Sequence, residues 1–311
     1  MGSRFQYGGL ADHDCDEPAR RQIRQALHGT QRLTRPAATM HVSTPLQYWR
    51  LFRMALHLLA GLATVALAFG WLDDAARAKR RREWSRKLLA ILGITLQCDA
   101  DRLPEGCLIV SNHISWVDIF AINALLPAAF ISKAEVRNWP AIGWLASRND
   151  TVFLRRGSRG HARIVNAEIA AMMDSGKVVA LFPEGTTTDG THVQHFHAAL
   201  LQPAINARRP IVPLAISYHN ADGSRSLAAA YDGDVSLGQS MMSIAGANSL
   251  AVRLQFAPAI DTAEQPERRV VGLRAREAIV SLACPENHVD GAVTGSSVAA
   301  KTYSGFSAAG G

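Results

Sequence analysis

The sequence predicts an α/β fold, a mainly parallel sheet flanked by helices, preceded by an N-terminal membrane-associated helical pair. Three observations carry that reading. Short continuous apolar runs, KVVALF at 177–182 and PIVPLAIS at 210–217, have the length and texture of strands covered on both faces. Segments of helical period alternate with them, which implies parallel pairing through crossover helices. Ahead of both, residues 54–72 form a run of 19 with one His and no formal charge, close to the roughly 20 needed to span a bilayer.

In chain order, residues 1–39 are polar, rich in Arg and Gln, and lack the apolar stretch of a signal peptide. They read as disordered or as a non-native start, with Met40 the alternative first residue. Arg50 and Arg53 precede the apolar run, and AKRRREWSRK at 78–87 follows it, a basic stretch suited to anionic headgroups. The same apolar run would also serve as a buried helix of a soluble core. Trp84, Leu88, Leu92 and Leu96 recur at i+4 and give a second helix with one apolar face. Two such helices would cross a bilayer or lie in one leaflet.

From Leu103 the texture changes. CLIVSNH at 107–113 is a strand running into a turn, and AFISK at 129–133 and TVFL at 151–154 are further strands. HARIVNAEIAAMMDSG at 161–176 is a helix with Ile164, Val165, Ile169, Met172 and Met173 on one face and Gly176 at its C-terminal cap. FHAALLQPAINA at 196–207 is a helix that Pro203 kinks or ends. AVRLQFA at 251–257 is a strand, 264–283 a basic amphipathic helix, and the Gly-, Ser- and Ala-rich tail from 286 reads as disordered.

The 311 residues are 48% hydrophobic and 19% charged, enough apolar content for a large core and too much for wholesale disorder. A net charge of +7 suits nucleic acid, an anionic membrane surface or phosphate-bearing substrates. The basic run beside the apolar segment favours the membrane, and no nucleic-acid partner is expected. Cys15, Cys98, Cys107 and Cys284 are far apart and form no CxxC pair, so neither a zinc site nor a disulfide framework is indicated. HVQHFH at 192–197 has no carboxylate or Cys to complete a metal site, and no metal is expected.

Three constellations carry chemistry. NHISWVD at 112–118 directly follows an apolar strand. Residues five apart on a helix sit about 140° apart, so His113 and Asp118 meet only if His113 lies in the turn before the helix. Ser115 as N-cap with Asp118 at N3 supplies that turn, and Asp118 then orients the imidazole while His113 takes a proton from a hydroxyl. An incidental His beside a helix-capping Asp is the plainer alternative. FPEGT at 182–186 closes another strand; Pro183 stops the ladder, Gly185 permits close backbone approach, Glu184 accepts from hydroxyls or orients a cation, and Thr186 to Thr188 add hydroxyls. FLRRGSR at 153–159 brings Arg forks suited to phosphate or carboxylate, or forms a solvated loop. No Gly-x-Ser-x-Gly elbow is present, which argues against a serine acyl-enzyme.

His-x4-Asp, an Arg-bearing strand end, FPEGT and the Pro-containing strand at 211–214, in that order, resemble the glycerolipid acyltransferase family, of which bacterial 1-acyl-sn-glycerol-3-phosphate acyltransferases are typical. The resemblance covers roughly residues 50–260. It implies His113 as general base, Asp118 as its orienter, and Lys133, Arg156, Glu184, Gly185 and Thr186 around the acceptor's polar head. The donor would be acyl-CoA or an acyl carrier protein thioester, with no cofactor. The acceptor would be a lysolipid, and the location the cytoplasmic face of a bacterial-type inner membrane. One departure is that Thr187-Thr188 stand where these enzymes often carry Arg-Ser; FPEGTTTDGTHVQHFHAAL is also similar to lyso-ornithine lipid acyltransferases of the same family. The implied layout is a disordered or non-native 1–39, a membrane-associated helical segment 40–100, an acyltransferase domain 101–285 and a disordered tail 286–311. Two other classes fit the same residues: a membrane-surface binding module without chemistry, and a hydrolase that uses the same pair to activate water.

Overall fold

The computed structural model describes residues 41–99, 103–139, 142–154, 159–284 and 301–302. The chain divides into two units, Met1–Ala38 and Thr39–Gly311. The first lies outside the described residues, as does the expected tail apart from Lys301–Thr302.

Helices α1 (Thr44–Leu67) and α2 (Asp74–Leu92) lead into β1 (Ile94–Cys98). There follow β2 (Leu108–Ser111), α3 (Asp118–Leu125), β3 (Ala129–Lys133), α4 (Ile142–Ser147), β4 (Val152–Leu154), α5 (Arg159–Asp174) and β5 (Val179–Leu181). After a 3₁₀ turn come α6 (Gln202–Asn206), β6 (Ile211–His219), α7 (Leu237–Gly246), β7 (Leu250–Phe256), α8 (Arg268–Ala283) and β8 (Lys301–Thr302). The sheet order is β4-β3-β5-β2-β6-β7-β1-β8. Strands β2 to β6 are mutually parallel, β7 runs antiparallel to β6, and β1 is parallel to β7. Side chains alternate between two apolar layers: Ile109, Ala180 and Val212 meet α2, α3 and α7, while Leu108, Val110, Val179 and Leu181 meet α5, α6 and α8. The mainly parallel sheet with helices on both faces is the fold expected.

Pro213 sits inside β6, where a missing N–H would normally break the ladder. Here Ile211 N–H donates to Ile260 and the Pro213 carbonyl accepts from Ala257 N–H. Both groups face the β7 side, beyond the last paired residue Phe256, so the absent donor costs a bond only at the ladder's end.

The i+4 series does not carry the second helix to Leu96: Gly93, at φ +75°, caps α2 and turns the chain into β1, which belongs to the sheet. Pro203 falls in the first turn of α6 and starts that helix, where a missing N–H is harmless. Ile164 is 67% exposed, one 100° step off the stripe formed by Val165, Ile169 and Met173. Helix α7 was not foreseen, although Ser236 and Gln239 form a full capping box at its start.

The basic run at 78–87 is partly internal. Arg86 donates to the Ala124 carbonyl at 2.8 Å and Arg82 to Leu125 at 2.6 Å. These are the last carbonyls of α3, which have no helical partner and carry the negative end of its dipole. Arg81 binds the Asn149 carbonyl at 3.0 Å and Asp150 at 3.1 Å. Lys79, Arg80 and Lys87 stay exposed. Helix α1 is held along one face. Arg50 donates to the Ala245 and Ala247 carbonyls at the end of α7, and His57 stacks on Trp84 at 4.6 Å with Nε2 at 3.0 Å from the Trp84 carbonyl. Its other face leaves Tyr48, Trp49, Phe52, Leu56, Leu59 and Leu67 exposed. By length and composition α1 suffices to cross a membrane.

A Cβ at position 93 would stand 2.3 Å from Arg50 Nη2 in a left-handed backbone. Gly93→Ala is therefore expected to lower stability by about 1–2 kcal/mol or more, read as a reduced thermal midpoint in detergent. An unchanged midpoint would refute this account of the α2–β1 junction.

Candidate active site

The carboxyl ends of β2 to β6 open onto one edge of the sheet, the usual place for a ligand site in such folds. β2 sits between β5 and β6 and is buried at every position. The next residue, Asn112, is also fully buried. Its side-chain amide exchanges two hydrogen bonds with the backbone of Ile216 in β6, at 2.9 and 2.8 Å, extending the ladder by one step. The chain then turns, and His113 lies in the loop before α3, as its spacing from Asp118 requires.

His113 is held on every side. Its N–H donates to Glu184 Oε1 at 2.8 Å, its carbonyl accepts from Thr188 N–H at 2.9 Å, and its ring stacks on Phe182 with centroids 3.9 Å apart. Nδ1 lies 2.9 Å from Asp118 Oδ2. An ionised carboxylate only accepts, so the neutral imidazole carries its proton on Nδ1 and leaves the Nε2 lone pair for another proton. Nε2 has no hydrogen-bond partner among the described residues, and the side chain is 19% exposed.

Asp118 is wholly buried at the first position of α3. Its Oδ2 also accepts from the N–H groups of Ile114 and Ser115, at 2.7 and 2.9 Å, and Oδ1 accepts from Tyr218 Oη at 2.7 Å. The expected cap is thus half present. Asp118 reaches back to Ser115 N–H, but Ser115 Oγ takes Val117 N–H at 3.3 Å, and the helix begins at Asp118 with Val117, not Ser115, as its N-cap. The backbone N–H groups near the helix start are largely committed: Ile114 and Ser115 to Asp118, Val117 to Ser115 Oγ, and Asp118 to the Ser115 carbonyl.

Glu184 is 4% exposed, and its second oxygen accepts from Gln194 N–H at 2.7 Å. Burial raises its pKa, opposed by the two N–H bonds and by the charges of His113 and His192. The resemblance assigns Glu184 to the acceptor head, yet both oxygens hold the protein's own backbone. Gly185, at φ +72°, closes a turn with its N–H on the Phe182 carbonyl at 3.1 Å, a conformation costly for any residue with a Cβ. Thr186 is exposed on that turn. Thr187 donates to the Tyr231 carbonyl, so the position where Arg was expected faces the protein. Lys133 ends β3, paired in register with Leu154 at the end of β4. Arg156 lies outside the described residues.

Cys98, Cys107 and Cys284 are buried, and burial pushes the Cys107 thiol up to about 11. Among the described residues no three His, Cys, Asp or Glu side chains gather to hold a metal ion. Tyr218 and Phe182 went unassigned in the sequence. A signal existed for Tyr218, because a Tyr inside a strand buried on both faces needs a partner for its hydroxyl.

The acyltransferase family model matches residues 96–217, which span both motifs. A 1-acyl-sn-glycerol-3-phosphate acyltransferase of Neisseria meningitidis is 34% identical over 199 residues, covering 63% of this chain and 78% of that protein. A lyso-ornithine lipid O-acyltransferase of Pseudomonas aeruginosa is 40% identical over 158 residues, 51% of this chain and 60% of its own length. The crystal structure of a 1-acyl-sn-glycerophosphate acyltransferase from Thermotoga maritima shares the fold, with TM-score 0.57 at 19% identity over 80% of this chain and 97% of that one. With the His113–Asp118 pair and the Phe182–Thr186 turn inside the matched segment, the chain belongs to the acyltransferase family.

Proposed function

We propose that this protein transfers a fatty acyl group from a thioester, acyl-CoA or acyl carrier protein, to the free hydroxyl of 1-acyl-sn-glycerol-3-phosphate, with His113 as general base. The observation that carries the reading is the His113–Asp118 hydrogen bond at 2.9 Å, which leaves Nε2 as the proton acceptor. Nε2 takes the acceptor's hydroxyl proton, and the oxygen attacks the thioester carbonyl. The tetrahedral oxyanion collapses, the C–S bond breaks, and the departing thiolate takes the proton back from the imidazolium. Asp118 keeps Nδ1 protonated and offsets the imidazolium charge. No metal or bound cofactor enters this scheme. Lys133, Arg156, Gly185 and Thr186, on or beyond the same strand ends, are assigned to the acceptor head. Glu184 is assigned to holding the His113 loop.

Lyso-ornithine lipid is a second acceptor reading. It is favoured by the 40% identity to an enzyme of that name and by Thr187 standing where an Arg would meet a phosphate. The membrane partner is supported by the outward apolar face of α1 and the exposed Lys79, Arg80 and Lys87 of α2. Because α1 is fastened to α2 and α7 along its inner face, it suits a position within one leaflet. The cytoplasmic face of the inner membrane is the side where both thioester donors are found.

His113→Ala is expected to lower turnover by about 10²–10⁴-fold, and Asp118→Asn by less, in steady-state assays with both lysolipids; a His113→Ala protein with more than about a tenth of wild-type turnover would sink the mechanism. Release of free fatty acid without any acceptor would instead favour the hydrolase. Glu184→Gln removes one acceptor from two backbone N–H groups and should reduce kcat about tenfold while sparing the acceptor KM; a raised KM with intact kcat would return Glu184 to the head group. Replacing Trp49, Phe52 and Leu56 together by Glu should shift the protein from the membrane to the soluble fraction, and continued sedimentation with membranes would argue against the leaflet position.

A further inference from the structure

We propose that Tyr218 is a positioning residue for acyl transfer, acting through Asp118 from the neighbouring strand β6. The inference rests on reading His113–Asp118 as the catalytic pair. Tyr218 is fully buried, and its hydroxyl donates to Asp118 Oδ1 at 2.7 Å. The other three donors, His113 Nδ1 and the N–H groups of Ile114 and Ser115, all converge on Oδ2. Tyr218 is therefore the sole donor to Oδ1 among the described residues. Three bonds hold Oδ2 in place, and the fourth, on Oδ1, satisfies the other oxygen and adds a second anchor to the carboxylate plane against which the imidazole is set.

The sheet delivers this contact. Strands β2 and β6 are adjacent, and the paired bonds between Asn112 and Ile216 lock their register at the point where the chain leaves β2. Ile216 and Tyr218 are two residues apart on one strand, so the lock that places His113 also sets the reach of the phenol. Burial and the nearby negative charge of Asp118 keep the phenol well above its ordinary pKa, so it remains a donor. The consequence is chemical. When His113 takes the acceptor's proton, a carboxylate already receiving a hydrogen bond on each oxygen has less tendency to draw the Nδ1 proton onto itself. The charge then stays divided between imidazolium and carboxylate.

The titratable groups around the pair are Tyr218 itself, Glu184 on the His113 N–H, and His192 bearing on Glu184. Removing the phenol oxygen leaves more negative charge on Asp118 facing the imidazole. The acid limb of kcat/KM should then move to higher pH.

The test is steady-state kinetics of full-length Tyr218→Phe, Asp118→Asn, the double variant and His113→Ala, with an acyl-CoA and whichever of the two lysolipids the wild type turns over. For Tyr218→Phe the expected result is a kcat loss of about tenfold or more, as for a lost hydrogen bond to a charged group. Both KM values should stay within about twofold, and the acid limb should rise by roughly half a pH unit or more. On the Asp118→Asn background the same change should cost little, because the effect runs through that carboxylate. A fluorotyrosine at 218 keeps the shape and strengthens the donor. It should move the limb to lower pH, which keeps the test open if Tyr218→Phe folds poorly. An unmoved limb with kcat within about twofold of wild type overturns the proposal, as does a loss of the same size on both backgrounds, which would assign Tyr218 to stability alone. A His113→Ala protein of wild-type rate would overturn the catalytic pair and this inference with it. A dead His113→Ala beside a wild-type-like Tyr218→Phe removes Tyr218 only.

Discussion

A carboxylate withdrawn completely from water is costly unless every lone pair it exposes is met by a donor. Asp118 is such a group, and much of the structure around it answers that constraint. Its position at the first turn of α3 puts the positive end of a helix dipole behind it. The loop from Asn112 to Val117 curls so that two successive N–H groups point inward, β6 brings a phenol, and the fourth donor is the imidazole of His113. Orientation of His113 is thus a by-product of satisfying a buried charge. A group that must be paired for the fold to hold also holds the ring in the attitude the proposed chemistry requires.

A second buried carboxylate repeats the device one strand away. Glu184 draws the His113 N–H and the Gln194 N–H onto its two oxygens, tying the loop after β2 to the loop after β5. Phe182, on the same strand end, supplies the flat surface for the imidazole. Parallel pairing of β5 with β2 makes both contacts possible, because parallel strands deliver their carboxyl ends to the same edge. In the proposed mechanism, preorganisation of this kind leaves little freedom in the base, so less must be lost on reaching the transition state.

The helical pair shows one residue type meeting two demands. Arg82 and Arg86 cover the carbonyl end of α3, and Arg50 covers that of α7, while Lys79, Arg80 and Lys87 stay in solvent. A guanidinium's fixed fork of donors suits carbonyls at a helix end, while the cations left in solvent stay hydrated. The helical pair is thereby anchored to the helix that carries Asp118, so the exposed apolar face of α1 and the His113–Asp118 pair belong to one packed unit.

The sequence by itself determined most of the apolar strands, the longer helices around them other than α7, and the two motifs, because these depend on local periodicity and on residue types at short spacing. It determined that His113 must precede the helix to reach Asp118, a matter of helical geometry alone. Where helix gave way to strand it misled: the series Trp84, Leu88, Leu92, Leu96 keeps its period across Gly93, and only pairing with β7 makes Ile94–Cys98 a strand. The tertiary structure decided which groups answer which. Tyr218 stands 100 residues from Asp118 along the chain and Glu184 stands 71 from His113, distances over which no pattern of spacing carries information. Their roles follow from strand order and register, which place β6 and β5 on either side of β2. In that arrangement a buried donor or acceptor has few partners within reach, and the cost of leaving it unmet selects the contact.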